Sequence, residues 1–256
     1  MTAELFSIVS PPSSCSYLPE ERSRMGVKFF SAIDGEHYSA LLARGWRRQG
    51  MSFFRADCPE CRKCRSLRVD VKNFRPTKSQ RRCLKRNAHI SLVVRPAEAT
   101  PAHAELYNRW HADMHRRRGW DDDRTSVEQY RDNLVGPGYA FSKEFAYYDG
   151  ERLVGVGLVD AVPDSLNSIY FMYDPAWRPS GPGTFSALSE IQYARETGRD
   201  WVYLGYWIKE HASMAYKNRF APHQILTERV SLSEPPPWRT PAEPSAPDGV
   251  TGDSTP

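Results

Sequence analysis

The chain has no apolar run near the roughly 18–20 residues needed to cross a bilayer, which excludes a membrane-spanning helix. Its first residues, MTAELFSIVSPPSSC, lack a basic stretch and carry Glu4 inside their short apolar patch. They do not read as a secretory signal, so the expected location is cytoplasmic. Cysteine is sparse: five in 256 residues, with none after Cys83. In the cytosol, clustered thiols bind metal or do redox chemistry more often than they form disulfides. Internal repeats are absent too, which argues against a solenoid or propeller. What is present, 40% hydrophobic and 12% aromatic residues, is enough to bury a core.

Acidic residues are the most telling shortage. Between Arg44 and Arg95 three acids (Asp57, Glu60 and Asp70) face 16 Lys and Arg, a local charge of +13. The whole chain is +4, so the remainder is −9. A basic block in an otherwise acidic protein points to a polyanion, nucleic acid above all. A solvated basic face without a partner is the plainer alternative.

Three regions follow from composition. Residues 1–95 hold every cysteine and the basic block, 96–233 alternate strand-like with helix-like stretches, and 234–256 carry seven prolines in 23 residues. That tail is expected to be disordered and dispensable for activity. SLRVDV (66–71) and ISLVV (90–94) read as strands, and TKSQRRCLKRNA (77–88) as a helix with two positive rows, Arg81/Lys85 and Arg82/Arg86. Thr100-Pro101 opens a helix whose Leu106, Trp110 and Met114 make an apolar stripe. A helix over 126–136, a hairpin turning at Asp149-Gly150, a strand over 168–174, a helix over 184–198 and a strand over 201–207 come next. A helix near SMAYKNRF and a strand at QILTERVSL complete the order. This is the element order of the GNAT acyltransferases. The predicted fold is therefore α/β (α+β): a GNAT-like domain with a smaller cysteine-containing N-terminal domain.

Two motifs carry chemistry. RPSGPGT (178–184) fits R-x-x-G-x-G, a loop that cradles pyrophosphate at a helix N-terminus, although Pro182 removes one of the amides such a loop offers. The alternative is a tight Gly/Pro connection. CPECRKC supplies Cys58, Cys61 and Cys64 from one short loop, a spacing used by zinc and by iron–sulfur clusters. Cys15, in a Pro/Ser-rich loop, is the expected fourth ligand. Cys83 reads as a buried thiol on the basic helix, and His37 lies within a helical pattern.

CSYLPEE together with CPECRKCRSLRVDVKNFRPTKSQRRCLKRN resembles the N-terminal domain of the aminoacyl-tRNA–protein transferases. IYFMYDP, GTFSALSEIQYARETGRDWVYLGYWI and SMAYKNRFAPHQIL resemble their C-terminal domain. The closest likeness is to the compact bacterial branch, the aspartate/glutamate leucyltransferases, related to the arginyl-tRNA–protein transferases. The chain departs from many relatives at SGPG and at EHASMAYK, where His211 and Ser213 stand in place of a cysteine-bearing stretch. The resemblance implies transfer of leucine or arginine from charged tRNA to the N-terminal amine of proteins beginning with Asp or Glu, marking them for degradation. The implied partners are aminoacyl-tRNA and those proteins, with no membrane. The implied cofactor is an iron–sulfur cluster, with zinc as the alternative and no CoA.

Under that reading, Asp160 holds or deprotonates the attacking amine, with Tyr216 as the tyrosine candidate for the same task. A turn residue is the plainer role for Asp160. Lys217 and Arg219 are candidates for the acceptor carboxylate. Tyr173 and Tyr203, with Tyr170, are candidates to line the pocket or stack on the terminal adenosine. Arg81, Arg82, Lys85 and Arg86, joined by His115 and Arg116, are expected to hold the tRNA backbone. Two other functions fit parts of the chain: a CoA-dependent GNAT acetyltransferase and a non-enzymatic, metal-containing RNA-binding protein.

Overall fold

The computed structural model describes residues 2–121 and 123–241. In chain order it begins with β1 (Ala3–Val9), the short β2 (Ser13–Ser14) and β3 (Arg22–Ser23), β4 (Met25–Ala32), α1 (Gly35–Ala43), β5 (Arg47–Gln49) and β6 (Ser52–Ala56). Then come β7 (Arg65–Asp70), α2 (Lys78–Arg86), β8 (Ile90–Pro96), α3 (Pro101–Arg118) and α4 (Val127–Tyr130), which runs into a π turn over Arg131–Val135. The last part holds β9 (Ser142–Asp149), β10 (Arg152–Ala161), β11 (Ser165–Tyr173), α5 (Pro182–Glu196), β12 (Trp201–Trp207), α6 (Ala212–Ala215), β13 (His223–Leu226) and β14 (Trp238–Arg239). Short 3-10 turns over Pro175–Ser180 and Tyr216–Arg219 precede α5 and follow α6.

Local chemistry explains most boundaries. Asp34 caps α1 by accepting from the His37 amide, and Thr77 with Gln80 forms a capping box on α2. Thr100 precedes Pro101 at the start of α3 but bonds His103 Nδ1 instead of capping. Gly150 turns the β9–β10 hairpin at φ 60°, a conformation that costs glycine little. The helix expected over 184–198 starts earlier, because Pro182 suits the first helical position.

Eight strands form one sheet in the order β14-β13-β7-β12-β11-β10-β9-β8, and four form a second, β1-β4-β6-β5. In the large sheet β11 and β12 are parallel and the other neighbours antiparallel. Phe185, Leu188 and Ile191 of α5 pack on one face with Leu67, Phe145 and Val202. Leu106, Trp110 and Met114 of α3 cover the other with Val156, Leu158 and Met172. The α3 stripe is core, as its spacing predicts.

The sheet does not respect a domain boundary at residue 95. β7, from the basic block, sits between β12 and β13 in the middle of the large sheet, and β8 closes its edge. β7 is paired on both sides, and its Leu67 and Val69 are fully buried. The small N-terminal sheet that precedes it was not legible in the sequence.

The tail also needs correction, since residues 234–241 are part of the fold. Trp238 is buried, donates from its indole to Ala43 O (2.9 Å), and pairs with Leu226 across the β13–β14 ladder. The Arg68 guanidinium lies 3.8 Å from the Trp201 ring and 4.2 Å from the Trp238 ring. The remaining tail, 242–256, lies outside the described residues. Trp238→Ala is expected to cost about 3 kcal/mol in denaturant unfolding, whereas truncation after Pro241 leaves the unfolding midpoint and activity unchanged.

Candidate active site

Cross-strand pairing between β11 and β12 stops at Asn167↔Tyr203, although the strands continue to Tyr173 and Trp207. The two parallel strands therefore part, and charged side chains fill the parting. Ser168, the first residue past the last pair, joins two of them. Its carbonyl accepts from Arg47 Nη2 (2.6 Å) and its hydroxyl donates to Glu190 Oε1 (3.3 Å). Glu190 comes from α5 and is 1% exposed, and its Oε2 has no partner among the described residues. Arg47 is 7% exposed, and its Nη1 is likewise unpaired.

Lys217 enters from the 3-10 turn after α6 and donates Nζ to Tyr206 O (2.8 Å). Gly205, at φ 88°, makes room for both cations: a Cβ there would lie 3.2 Å from Arg47 Nη2 and 3.3 Å from Lys217 Nζ. Burial sets the ionisation of these groups. Glu190 is pushed up to about 7 by desolvation, against hydrogen bonds from Ser168 and Ser186 and the charge of Arg47. Lys217 is pushed down to about 7 by desolvation and then by Arg47. A carboxylate and an amine that both titrate near neutrality suit proton transfer at a reacting amine and ester.

The sequence indicated Lys217 but neither Arg47 nor Glu190. Glu190 left one signal, an acid on the buried stripe of α5 beside Ala187, Ile191 and Ala194. Arg47 left none, because a buried strand arginine looks like any other basic residue in that block.

Several predicted site residues lie elsewhere. Asp160 is fully buried and takes a bidentate pair from Arg48, Nε to Oδ2 at 2.9 Å and Nη2 to Oδ1 at 2.7 Å. Tyr38 and Asn167 also face it. Both oxygens are engaged, so Asp160 is not placed to receive a substrate amine. Tyr203 is 1% exposed, its hydroxyl accepts from Arg68 (3.3 Å), and it packs in the core rather than a pocket. Arg219 is exposed on the outer side of its turn, where its carbonyl accepts from Gln80 of α2. Tyr216 is 40% exposed at the rim, and burial of its hydroxyl together with the Glu190 charge raises its pKa. Tyr173 is half-buried against Trp110, close to Arg117 and Arg178.

The structure brings the four predicted cysteine ligands together. Cys64 is pushed up to about 12, first by burial and then by the charges of Cys58, Cys15 and Cys61. Crowded thiols that resist ionisation suit a bound cation, which would reverse that shift. Cys83 is separate: its thiol lies on α2 against Ser180 O and Gly181 O. Among the described residues, the one group of three such donors gathered within 4.8 Å is Glu98, His103 and Glu144.

Arg81, Arg82, Lys85 and Arg86 are all exposed on α2, while Gln80, Cys83 and Asn87 face inward. Arg86 donates to Pro179 O (2.9 Å) and Asn87 Nδ2 to Ser180 O (2.9 Å), so α2 packs on the 178–181 loop. From the other side Arg178 reaches Asp113 of α3 (3.3 Å), beside exposed His115 and Arg116. Arg118, at the end of α3, donates to Ser213 Oγ (3.0 Å) in α6. One basic rim therefore runs from α2 past the loop to α3 and on towards Lys217. The R-x-x-G-x-G loop is here a 3-10 turn that α2 covers, closer to a tight connection than to an open cradle. Arg82 and Lys85 make no side-chain bond to a described residue. If this rim holds a nucleic-acid backbone, replacing both by alanine is expected to weaken RNA binding and reduce the log–log salt slope by about 2, measured by filter binding across salt concentrations.

Residues 13–82 match the family model for the N terminus of arginine-tRNA-protein transferase, and residues 102–227 match that for its C terminus. The chain belongs to this family. The aspartate/glutamate leucyltransferase of Helicobacter hepaticus is 37% identical over 234 residues, 91% of this chain and 97% of the relative. A Campylobacter jejuni protein of the same name is 35% identical over 220 residues, 86% of this chain and 92% of the relative. That of Nitrosococcus oceani is 35% identical over 223 residues, with the same coverage of 86% and 92%. Among solved structures, FemX shares 8% identity at TM-score 0.47, covering 88% of this chain and 87% of that one. L-PGS from Bacillus licheniformis shares 13% at TM-score 0.44, covering 70% and 52%. Family membership makes this protein an aminoacyltransferase. No helix among the described residues is long and apolar enough to cross a membrane.

Proposed function

We propose that the protein transfers leucine from leucyl-tRNA to the N-terminal amine of proteins beginning with Asp or Glu. The observation that carries this is the placing of Glu190 on one side and Lys217 on the other of buried Arg47, where β11 and β12 part. In the reaction the amine nitrogen attacks the ester carbonyl carbon; the new C–N bond forms as the bond to the ribose oxygen breaks. Because the donor is already an activated ester, positioning and one proton acceptor suffice. Glu190 Oε2 takes the proton from the amine. Lys217 faces the developing oxyanion and returns a proton to the leaving ribose oxygen. Arg47 Nη1, buried and unpaired, meets the acceptor's carboxylate.

An arginyl donor would need carboxylates for its guanidinium, yet this cluster holds two cations and one acid already committed to the amine. Leucine fits that balance better, and the names of the relatives support it. The basic rim delivers the acceptor end of the tRNA. Cys15, Cys58, Cys61 and Cys64 are the residues that would hold a metal centre, an iron–sulfur cluster or a zinc ion. Such a centre supplies a cross-link behind Tyr206 rather than a reacting group.

The test is transfer of radiolabelled leucine and arginine, each from its charged tRNA, to peptides beginning with Asp, Glu or Ala. Leucine is expected on the Asp and Glu peptides and absent from the Ala peptide. Arginine on the Asp peptide instead of leucine would overturn the assignment of the donor.

A further inference from the structure

A second cationic site lies on the far side of Tyr206 from Lys217. Arg44, Arg55, Arg62, Arg65 and Arg229 line a cavity of about 30 Å³, and Glu228 is the one acid in its wall. None of the five guanidinium groups is ion-paired with a described residue. Arg44 donates to the carbonyls of Ala40, Ser231 and Glu234, and Arg62 and Arg229 donate to those of Cys58 and Cys61. Arg55 donates to Arg44 O and Val230 O and feels the charge of Asp57; carbonyls satisfy hydrogen bonds but bring no full negative charge. Arg65, exposed at the mouth, has no side-chain partner among the described residues.

The wall also holds two unsatisfied buried atoms. Ser66 is 3% exposed and its hydroxyl has no partner, and Arg55 Nε is buried without one. Both residues line the cavity. Buried polar groups are nearly always paired, so a donor and a hydroxyl left open beside five guanidinium groups without an ion pair indicate a missing anionic acceptor.

We propose that this cavity is a binding site for a phosphate group. Its several acceptor oxygens match guanidinium forks better than a single point charge does, and the surplus cations suit a multiply charged anion. The small volume admits only the head of a ligand, with the rest at the mouth beside Arg65. The acceptor protein's first side chain cannot supply the anion. It lies a few bonds from the reacting amine, and Tyr206 stands between: its carbonyl accepts from Lys217 on one side, while its hydroxyl accepts from Ala56 N in the cavity wall on the other. The phosphate therefore belongs to an RNA backbone or to a free phosphate compound. Bound there, it would join the arginines that hold the Cys58 and Cys61 carbonyls to the strand ends, tying the cysteine loop to residues 227–229.

The experiment titrates the full-length protein with inorganic phosphate at low ionic strength, following calorimetric binding and the thermal midpoint, with chloride at matched ionic strength as control. Saturable binding and a raised midpoint are expected. Ser66→Ala and Arg65→Ala should each weaken binding tenfold or more, and Arg65 is exposed, so its loss leaves the fold intact. Uncharged tRNA is then added. Displacement of the phosphate supports the site with an RNA-backbone ligand; undisturbed binding supports it with a free phosphate compound. No saturable phosphate binding, or binding that both substitutions leave unchanged, overturns the proposal.

Discussion

Replacing Glu190 by glutamine is expected to lower leucine transfer by about a hundred- to ten-thousand-fold, the range for loss of a general base, while making the protein more stable at alkaline pH. The two effects share one cause. In the fold the carboxyl is raised from 4.5 to about 7 by burial, so the native state prefers its protonated form. Its contribution is complete below the unfolded value and is lost as pH rises from 4.5 to about 7. Above that range the buried charge costs about 3 kcal/mol, at 1.36 kcal/mol per unit. Glutamine removes that cost and keeps a polar group for Ser168 and Ser186. Urea unfolding at pH 8.5 should therefore show a variant more stable than the parent, with the difference vanishing near pH 4.

The pH dependence of kcat at saturating acceptor gives a sharper check. Glu190 must be ionised to accept a proton, so the rate rises through about 7. Lys217 must be protonated to face the oxyanion, so the rate falls as it titrates, also near 7. The parent should show a narrow bell centred near neutrality, and Glu190→Gln should lose the acidic limb alone. A variant that is slow but keeps both limbs would remove Glu190 from the reaction.

The second large effect concerns Asp160. Asp160→Asn is expected to destabilise the protein by about 3–5 kcal/mol, because it strands the Arg48 guanidinium in the interior. Both side chains are wholly buried and 2.7 Å apart at their closest atoms. Arg48 also donates to Gly50 O (2.7 Å), Val135 O (3.1 Å) and Ser142 Oγ (3.1 Å), so the pair pins the small sheet to the π turn and the large sheet. Arg48→Met with Asp160→Leu should recover much of the loss, since two buried charges are then replaced by apolar volume. Guanidinium unfolding of the single and double variants decides the matter. A stable Asp160→Asn protein with reduced kcat would instead restore Asp160 to contact with the substrate.

Asp160 and Glu190 show where sequence reading succeeds and where it stops. In sequence Asp160 looked like an acid ending an apolar strand, which is what a site residue looks like and also what half of a buried ion pair looks like. Arg48, its partner, lies 112 positions away, and no local pattern joins them. Glu190 looked like one more helix carboxylate; its raised pKa depends on strands that meet α5 only after folding. Tyr203 and Arg219 belong to motifs that resemble the family, but packing turns one into the core and the other outward. Trp238, in a proline-rich tail, was invisible for the same reason: the groove it fills is made by α1, β13 and Arg68.

By itself the sequence determined the element order from β7 to β13, the α3 stripe, the β9–β10 turn and the exposed basic rows. All of these depend on neighbours a few residues apart, where periodicity and turn chemistry act. The tertiary structure alone decided that β7 belongs to the large sheet, that α2 covers the 178–181 loop, and that Glu190 and Lys217 lie on either side of buried Arg47. Those three come from a strand, a helix and a turn spread over 170 residues. Burial shifts their proton affinities, and burial is a property of the assembled fold.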